Sequence, residues 1–130
     1  MKNYLLLFTA IVLFVSCSKE AGEGGTSTIK GVVMVKEYNG DYTILRDIYP
    51  AQDIDVYIIY GNDEVHGDRF QTGYDGKYEF NYLRNGKYTV YALSDSAGNI
   101  LTNEKVPVFK EVEVTGKNQV IEVDTIYILD

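Results

Sequence analysis

The stretch Thr72 to Ala92, TGYDGKYEFNYLRNGKYTVYA, limits what this chain can fold into more than any other. Tyr78, Phe80 and Tyr82 alternate with Lys77, Glu79 and Asn81, so a pleat of period two places three aromatic rings on one face and three polar groups on the other. Asp75-Gly76 before this run and Asn85-Gly86 after it are dipeptides that accept the positive φ angles of tight hairpin turns. Beyond the second turn Tyr88, Val90 and Ala92 continue an inward set, while Lys87, Thr89 and Tyr91 face away. Two half-buried strands with a turn at each break are therefore expected.

The rest of the chain extends this pattern. From Thr28 onward no window carries a clean apolar period of 3.6 residues, which leaves almost no room for helix. Ile29 to Val35 reads as the first strand, with Gly31 marking a bulge or a close backbone approach. Asn39-Gly40 signals a hairpin with Tyr42 to Leu45 as its return arm, and Pro50 closes that segment. Ile54 to Tyr60 is apolar on nearly both sides and so belongs in the middle of a sheet. Arg69 to Tyr74 leads into the organising stretch, with Phe70, Thr72 and Tyr74 on one side. Ser94 to Glu104 is a loop with one short extended piece around Ile100. Val108 to Val114 and Gln119 to Leu129 are the last strands, with Ile121, Val123, Tyr127 and Leu129 sharing a face. Seven or eight short strands separated by turn chemistry define an all-β antiparallel sandwich over residues 28–130.

The N-terminal region has a different composition. Lys2, the apolar run Tyr4 to Val15 and the small Ser16 have the layout of a secretory signal over residues 1–16, too short to span a bilayer as an ordinary helix. Phe14-Val15-Ser16-Cys17 resembles the lipobox of bacterial lipoproteins, with Phe14 where leucine is usual. That resemblance implies lipidation of Cys17, the only cysteine, and a membrane attachment through it. Residues 17–27, with SKEAGEGGTS, are small, polar and glycine-rich and are expected to form a flexible tether.

The charge excludes some partners. With 19 acidic residues against 12 basic ones, a net charge of −7 argues against nucleic acid and against a basic patch on an anionic membrane. Candidate chemistry is sparse. The single histidine, His66, sits in an acidic loop without a nucleophile beside it, and one histidine with one cysteine cannot supply a typical zinc site. No cofactor and no catalytic activity are expected. Calcium takes six to eight oxygen ligands from irregular loops, which makes Asp63, Glu64 and Asp68 the metal candidates, although no stretch reproduces an Asp-x-Asp-x-Asp-Gly loop. Tyr57, Ile59, Tyr91 and Leu93 lie at outward parities of two central strands and form the candidate binding surface, for a protein or a glycan partner.

The organising stretch also carries a family likeness. Thr72-x-x-Asp75-Gly76-x-Tyr78-x-Phe80-x-x-Leu83-x-x-Gly86-x-Tyr88-x-Val90-x-Ala92, with Gly31-Val32-Val33 ahead of it, resembles the signature of carboxypeptidase regulatory-like domains from about Ile29 to Val114. The resemblance implies a transthyretin-like, immunoglobulin-like sandwich whose signature residues build turns and core. It also implies a place among Bacteroidetes-type outer-membrane lipoproteins, at the periplasmic face or the cell surface. The function it implies is a non-catalytic module for interaction or scaffolding. The competing class is a carbohydrate-binding or calcium-dependent adhesion protein.

Overall fold

The structure, a computed structural model, describes residues 20–96 and 104–129. Nine strands and no helix occur among the described residues. They are β1 (Glu23–Tyr38), β2 (Leu45–Pro50), β3 (Asp55–Tyr60), β4 (Asp68–Gln71), β5 (Lys77–Leu83), β6 (Gly86–Asp95), β7 (Lys105–Val114), β8 (Val120–Glu122) and β9 (Ile126–Leu129). One sheet has the order β4-β3-β6-β7, and all of its pairings are antiparallel. The other is built around β1, which pairs antiparallel with β5 and β2 and parallel with β8 and β9. The chain is an all-β protein of two mostly antiparallel sheets packed face to face.

β1 changes neighbours along its length. Its first half lies against β5 and β8, its second against β2 and β9. The change falls at Val33, whose amide donates to the Gly76 carbonyl and whose carbonyl accepts from the Ala51 amide, both at 2.9 Å. Gly76 is needed there. Its φ is +74°, and a Cβ would stand 2.4 Å from the Val33 carbonyl oxygen.

The core lies between the sheets. Ile29, Val33 and Val35 of β1, Tyr78, Phe80 and Leu83 of β5, and Ile126 and Ile128 of β9 meet Val56, Ile58, Tyr88, Val90 and Ala92 from the facing sheet. Each large side chain removed from water here contributes about 2 kcal/mol. Thr72 is one of three buried polar residues: its hydroxyl donates to the Ala51 carbonyl at 2.6 Å and accepts from the Ile54 amide at 2.9 Å.

Several expectations are corrected. Asp75-Gly76 and Asn85-Gly86 do reverse the chain, but neither closes a hairpin: β4 pairs with β3, β5 with β1, and β6 with β3 and β7, so both turns carry the chain from one sheet to the other. Tyr82 is not inward. It has a positive φ of 58° and lies 75% exposed, while Leu83 takes the buried place. An extra residue on β5 opposite Ser27 to Ile29 makes this bulge and switches the strand's parity.

The end of the chain is not one strand. It breaks after Glu122, and both pieces run parallel to β1, with Ile126 and Ile128 inward and Tyr127 exposed. The return arm after Asn39-Gly40 runs later than expected, as β2 from Leu45 to Pro50. Tyr74 is exposed. Glu23 to Ser27, expected in the tether, begin β1, and Gly25 there serves a close contact: a Cβ on it would stand 2.0 Å from the Leu83 carbonyl oxygen. Residues 1–16, Cys17 and Ile100 lie outside the described residues.

Candidate functional site

The outward face of the β4-β3-β6-β7 sheet carries a row of rings set by strand register. Arg69 is opposite Tyr57, Tyr57 opposite Tyr91, and Tyr91 opposite Phe109, so one line of side chains crosses all four strands. Residues directly opposite on one face are close enough to interact, and aromatic pairs there stabilise the sheet. The Tyr57 and Tyr91 rings stack, with centroids 5.0 Å apart and planes 21° from parallel. Phe109 lies 5.5 Å from Tyr91 at 58°. His66, from the β3–β4 loop, lies 4.6 Å from Tyr57 at 54°.

Ion pairs flank the row. Arg69 Nη1 stands 3.8 Å from Asp55 Oδ2, and Lys105 pairs with Asp95 where β6 and β7 meet. Burial, together with the neighbouring Tyr57 phenol, raises the Tyr91 phenol above its ordinary value.

Of the four expected surface residues, Tyr57 and Tyr91 touch. Ile59 and Leu93 share their face but fall in the rows on either side, opposite Thr89 and Pro107. Two members escaped the sequence reading. Phe109, 54% exposed, is outward because it shares parity with Glu111 and Glu113, a signal present in the strand. His66 left no such signal, because a loop brings it there.

The calcium candidates do not assemble. Among the described residues no group of three or more His, Cys, Asp or Glu side chains is placed to share a cation. Asp68 instead accepts the Arg69 amide at 2.8 Å.

Each tyrosine of the row contacts two other rings, so much of its aromatic surface is already used within the row. Tyr57 and Tyr91 cover one face of each other, and Phe109 stays half in solvent. The fold and this face together define a small two-sheet β-protein with an aromatic outer stripe. No protein-family model and no curated protein matches the chain. Among solved structures it is similar to one from Pseudomonas aeruginosa described as a "putative carbohydrate binding protein", with 13% identity over 90% of this chain and 94% of that one and a TM-score of 0.48.

Proposed function

We propose that this chain is a non-catalytic module of the cell envelope, held by lipid on Cys17, that meets a protein partner through the outer face of its four-stranded sheet. The observation that carries this reading is the row Tyr57, Tyr91 and Phe109, which crosses three strands and leaves Phe109 half in solvent. A contiguous row of partly exposed aromatic side chains is the kind of surface that a partner covers. The likeness of Thr72 to Ala92 to carboxypeptidase regulatory-like domains agrees with a role in contact rather than chemistry. A sugar would stack on a free ring face, and the mutual stacking of Tyr57 and Tyr91 takes one face of each.

Two measurements on the full chain in its own envelope test the reading. Metabolic labelling with a fatty acid should mark the protein and be lost in Cys17→Ser; an unlabelled wild type removes the anchor. A photo-crosslinking residue at position 109 should give a discrete adduct that weakens in Tyr91→Ala, while the same residue at position 74, exposed in the turn before β5, should not. Equal yields from both positions would sink the interface.

A further inference from the structure

The four-stranded sheet ends differently at its two sides. Its β4 edge is four residues long, whereas its β7 edge runs for ten, from Lys105 to Val114. The register fixes which backbone groups that long edge presents. The Gly61 amide donates to the Lys87 carbonyl at 2.8 Å, so Lys87 turns its peptide groups toward β3. Hydrogen-bonded pairs alternate along an antiparallel ladder. Gly86 and Tyr88 therefore bond β7 through Val114 and Val112, and Lys110, Val108 and Val106 continue that set. The peptide groups of Lys105, Phe109, Glu111 and Glu113 and the Pro107 carbonyl then face away from the sheet, and proline is tolerated there because no ladder donor is lost. Among the described residues no backbone group outside the ladder with β6 bonds them.

An open edge of this length is a template for another strand. We propose that β7 pairs antiparallel with β7 of a second copy of this chain, Phe109 opposite Phe109, joining the two four-stranded sheets into one. A twofold axis through Phe109 makes the contact self-complementary. It sets Lys105 opposite the copy's Glu113 at both ends, and Pro107 opposite Glu111, whose amide meets the proline carbonyl. On the inner face Val106, 41% exposed, meets Val112. Within each chain Lys87 is opposite Glu113, and Asp95 is opposite and paired with Lys105. Each end of the contact is thus a row of alternating charge across the two copies: Lys87, Glu113, Lys105, Asp95. In the middle the row Tyr57, Tyr91, Phe109 continues into its own copy.

Charge selects this register. Edge-facing residues can oppose only edge-facing residues, so the axis passes through a residue and never between two. An axis at Lys110 sets two ammonium groups against each other and one at Glu111 two carboxylates, both destabilising. An axis at Pro107 or Val108 leaves Glu113 beyond the end of the copy's strand. Phe109 is the axis that keeps the strands overlapped along their length and opposes unlike charges. One strand from each side covers less than the ~800 Å² per partner of a standard interface, so the dimer is a weak one, populated at about 100 µM. The pairing uses the edge of β7 and leaves the outer face of the sheet open. It depends neither on lipid at Cys17 nor on a partner in the envelope.

The test uses the purified full chain in detergent at about 100 µM, with Cys17→Ser so that an introduced cysteine is the sole thiol. Under mild oxidation Phe109→Cys should form a disulfide-linked dimer, since residues opposed in a hydrogen-bonded pair stand about 5.5 Å apart, within disulfide reach. Lys105→Cys and Glu113→Cys should each link poorly alone and at least about fivefold faster when mixed, which reads the register. Glu111→Pro removes an amide that bonds nothing within the chain. It should therefore keep the thermal midpoint and cut linkage through position 109 about tenfold. If that variant unfolds, Glu113→Lys, which sets like charges opposite each other, takes its place with a loss of about fivefold expected. No dimer from Phe109→Cys overturns the proposal, and so does equal linkage from Tyr74→Cys in the turn before β5. A mixture of the 105 and 113 variants no faster than either alone overturns it too, as does a folded Glu111→Pro or Glu113→Lys protein with unchanged linkage.

Discussion

Tyr88 and Gly22, 66 residues apart in the chain, are joined by a buried hydrogen bond: the Gly22 amide donates to Tyr88 Oη at 2.9 Å. The same hydroxyl donates to the Arg84 carbonyl at 2.5 Å. One phenol on β6 thereby fastens the segment ahead of β1 to the turn that changes sheets.

Removing that phenol should loosen the segment. Tyr88→Phe keeps the ring but strands the Gly22 amide, and a buried donor left unpaired costs about 1–3 kcal/mol. Urea denaturation should show a lower midpoint, with residues 20–27 cut first in limited proteolysis. An unchanged midpoint would mean that the bond contributes nothing.

Gly31 predicts a steric effect. An alanine there puts a methyl group 2.5 Å from the Tyr78 hydroxyl and 2.8 Å from its ring, an overpacking that costs about 1–3 kcal/mol. Gly40 has nothing within 4 Å of its Cβ position, so Gly40→Ala should stay within about 0.5 kcal/mol of wild type. Equal midpoints for the two variants in thermal unfolding would refute the account of Tyr78 packing.

Tyr60 predicts a pH effect. Its hydroxyl is buried without a partner, and burial first, then the negative charges of Glu23 and Asp68 and the neighbouring Tyr88, push its phenol from 10.0 up to about 12. The unfolded chain gives up this proton near pH 10 while the folded chain holds it, so the folded state binds more protons in that interval. The contribution is complete below pH 10 and is lost as pH rises toward 12. Tyr60→Phe should flatten that decline and leave neutral-pH stability unchanged or raised. Denaturation midpoints from pH 9 to 12 check this, and parallel curves for both proteins would be the contrary result.

Tyr57 and Tyr91 predict a coupling. Stacked aromatic pairs carry about 0.5–1.5 kcal/mol beyond their burial, so the single and double alanine variants should fail to add by that amount. A strictly additive double-mutant cycle would show the rings to be neighbours without interaction.

How far the sequence carried these inferences depends on which physical quantity each residue type encodes. Tyr78, Phe80, Tyr88, Val90 and Ala92 were legible as core because alternation encodes which face is buried. Gly76 was legible as a turn, but a dipeptide records only that the chain reverses; which strands pair afterwards is set by packing between sheets, and so the expected hairpins became crossings. Tyr82 misled because one left-handed residue at the bulge turns its own ring outward and gives the buried place to Leu83. Gly25 misled for a related reason: a residue without a side chain serves a loose linker and a tight backbone contact equally well, and composition does not separate them. The ring row was half legible, through Tyr57 and Tyr91, since sheet parity names a face and only the ladder with β7 adds Phe109.

The parallel ladders of β1 with β8 and β9 have a mechanical meaning. Because these strands run the same way, Glu23 and Leu129 stand at opposite ends of the sheet. A pull applied between them drags the strands lengthwise past each other, and the ladder bonds, which lie across that direction, bear the load together instead of opening one by one as in a zipper. Tension applied between the first strand and the last thus loads these ladders in shear.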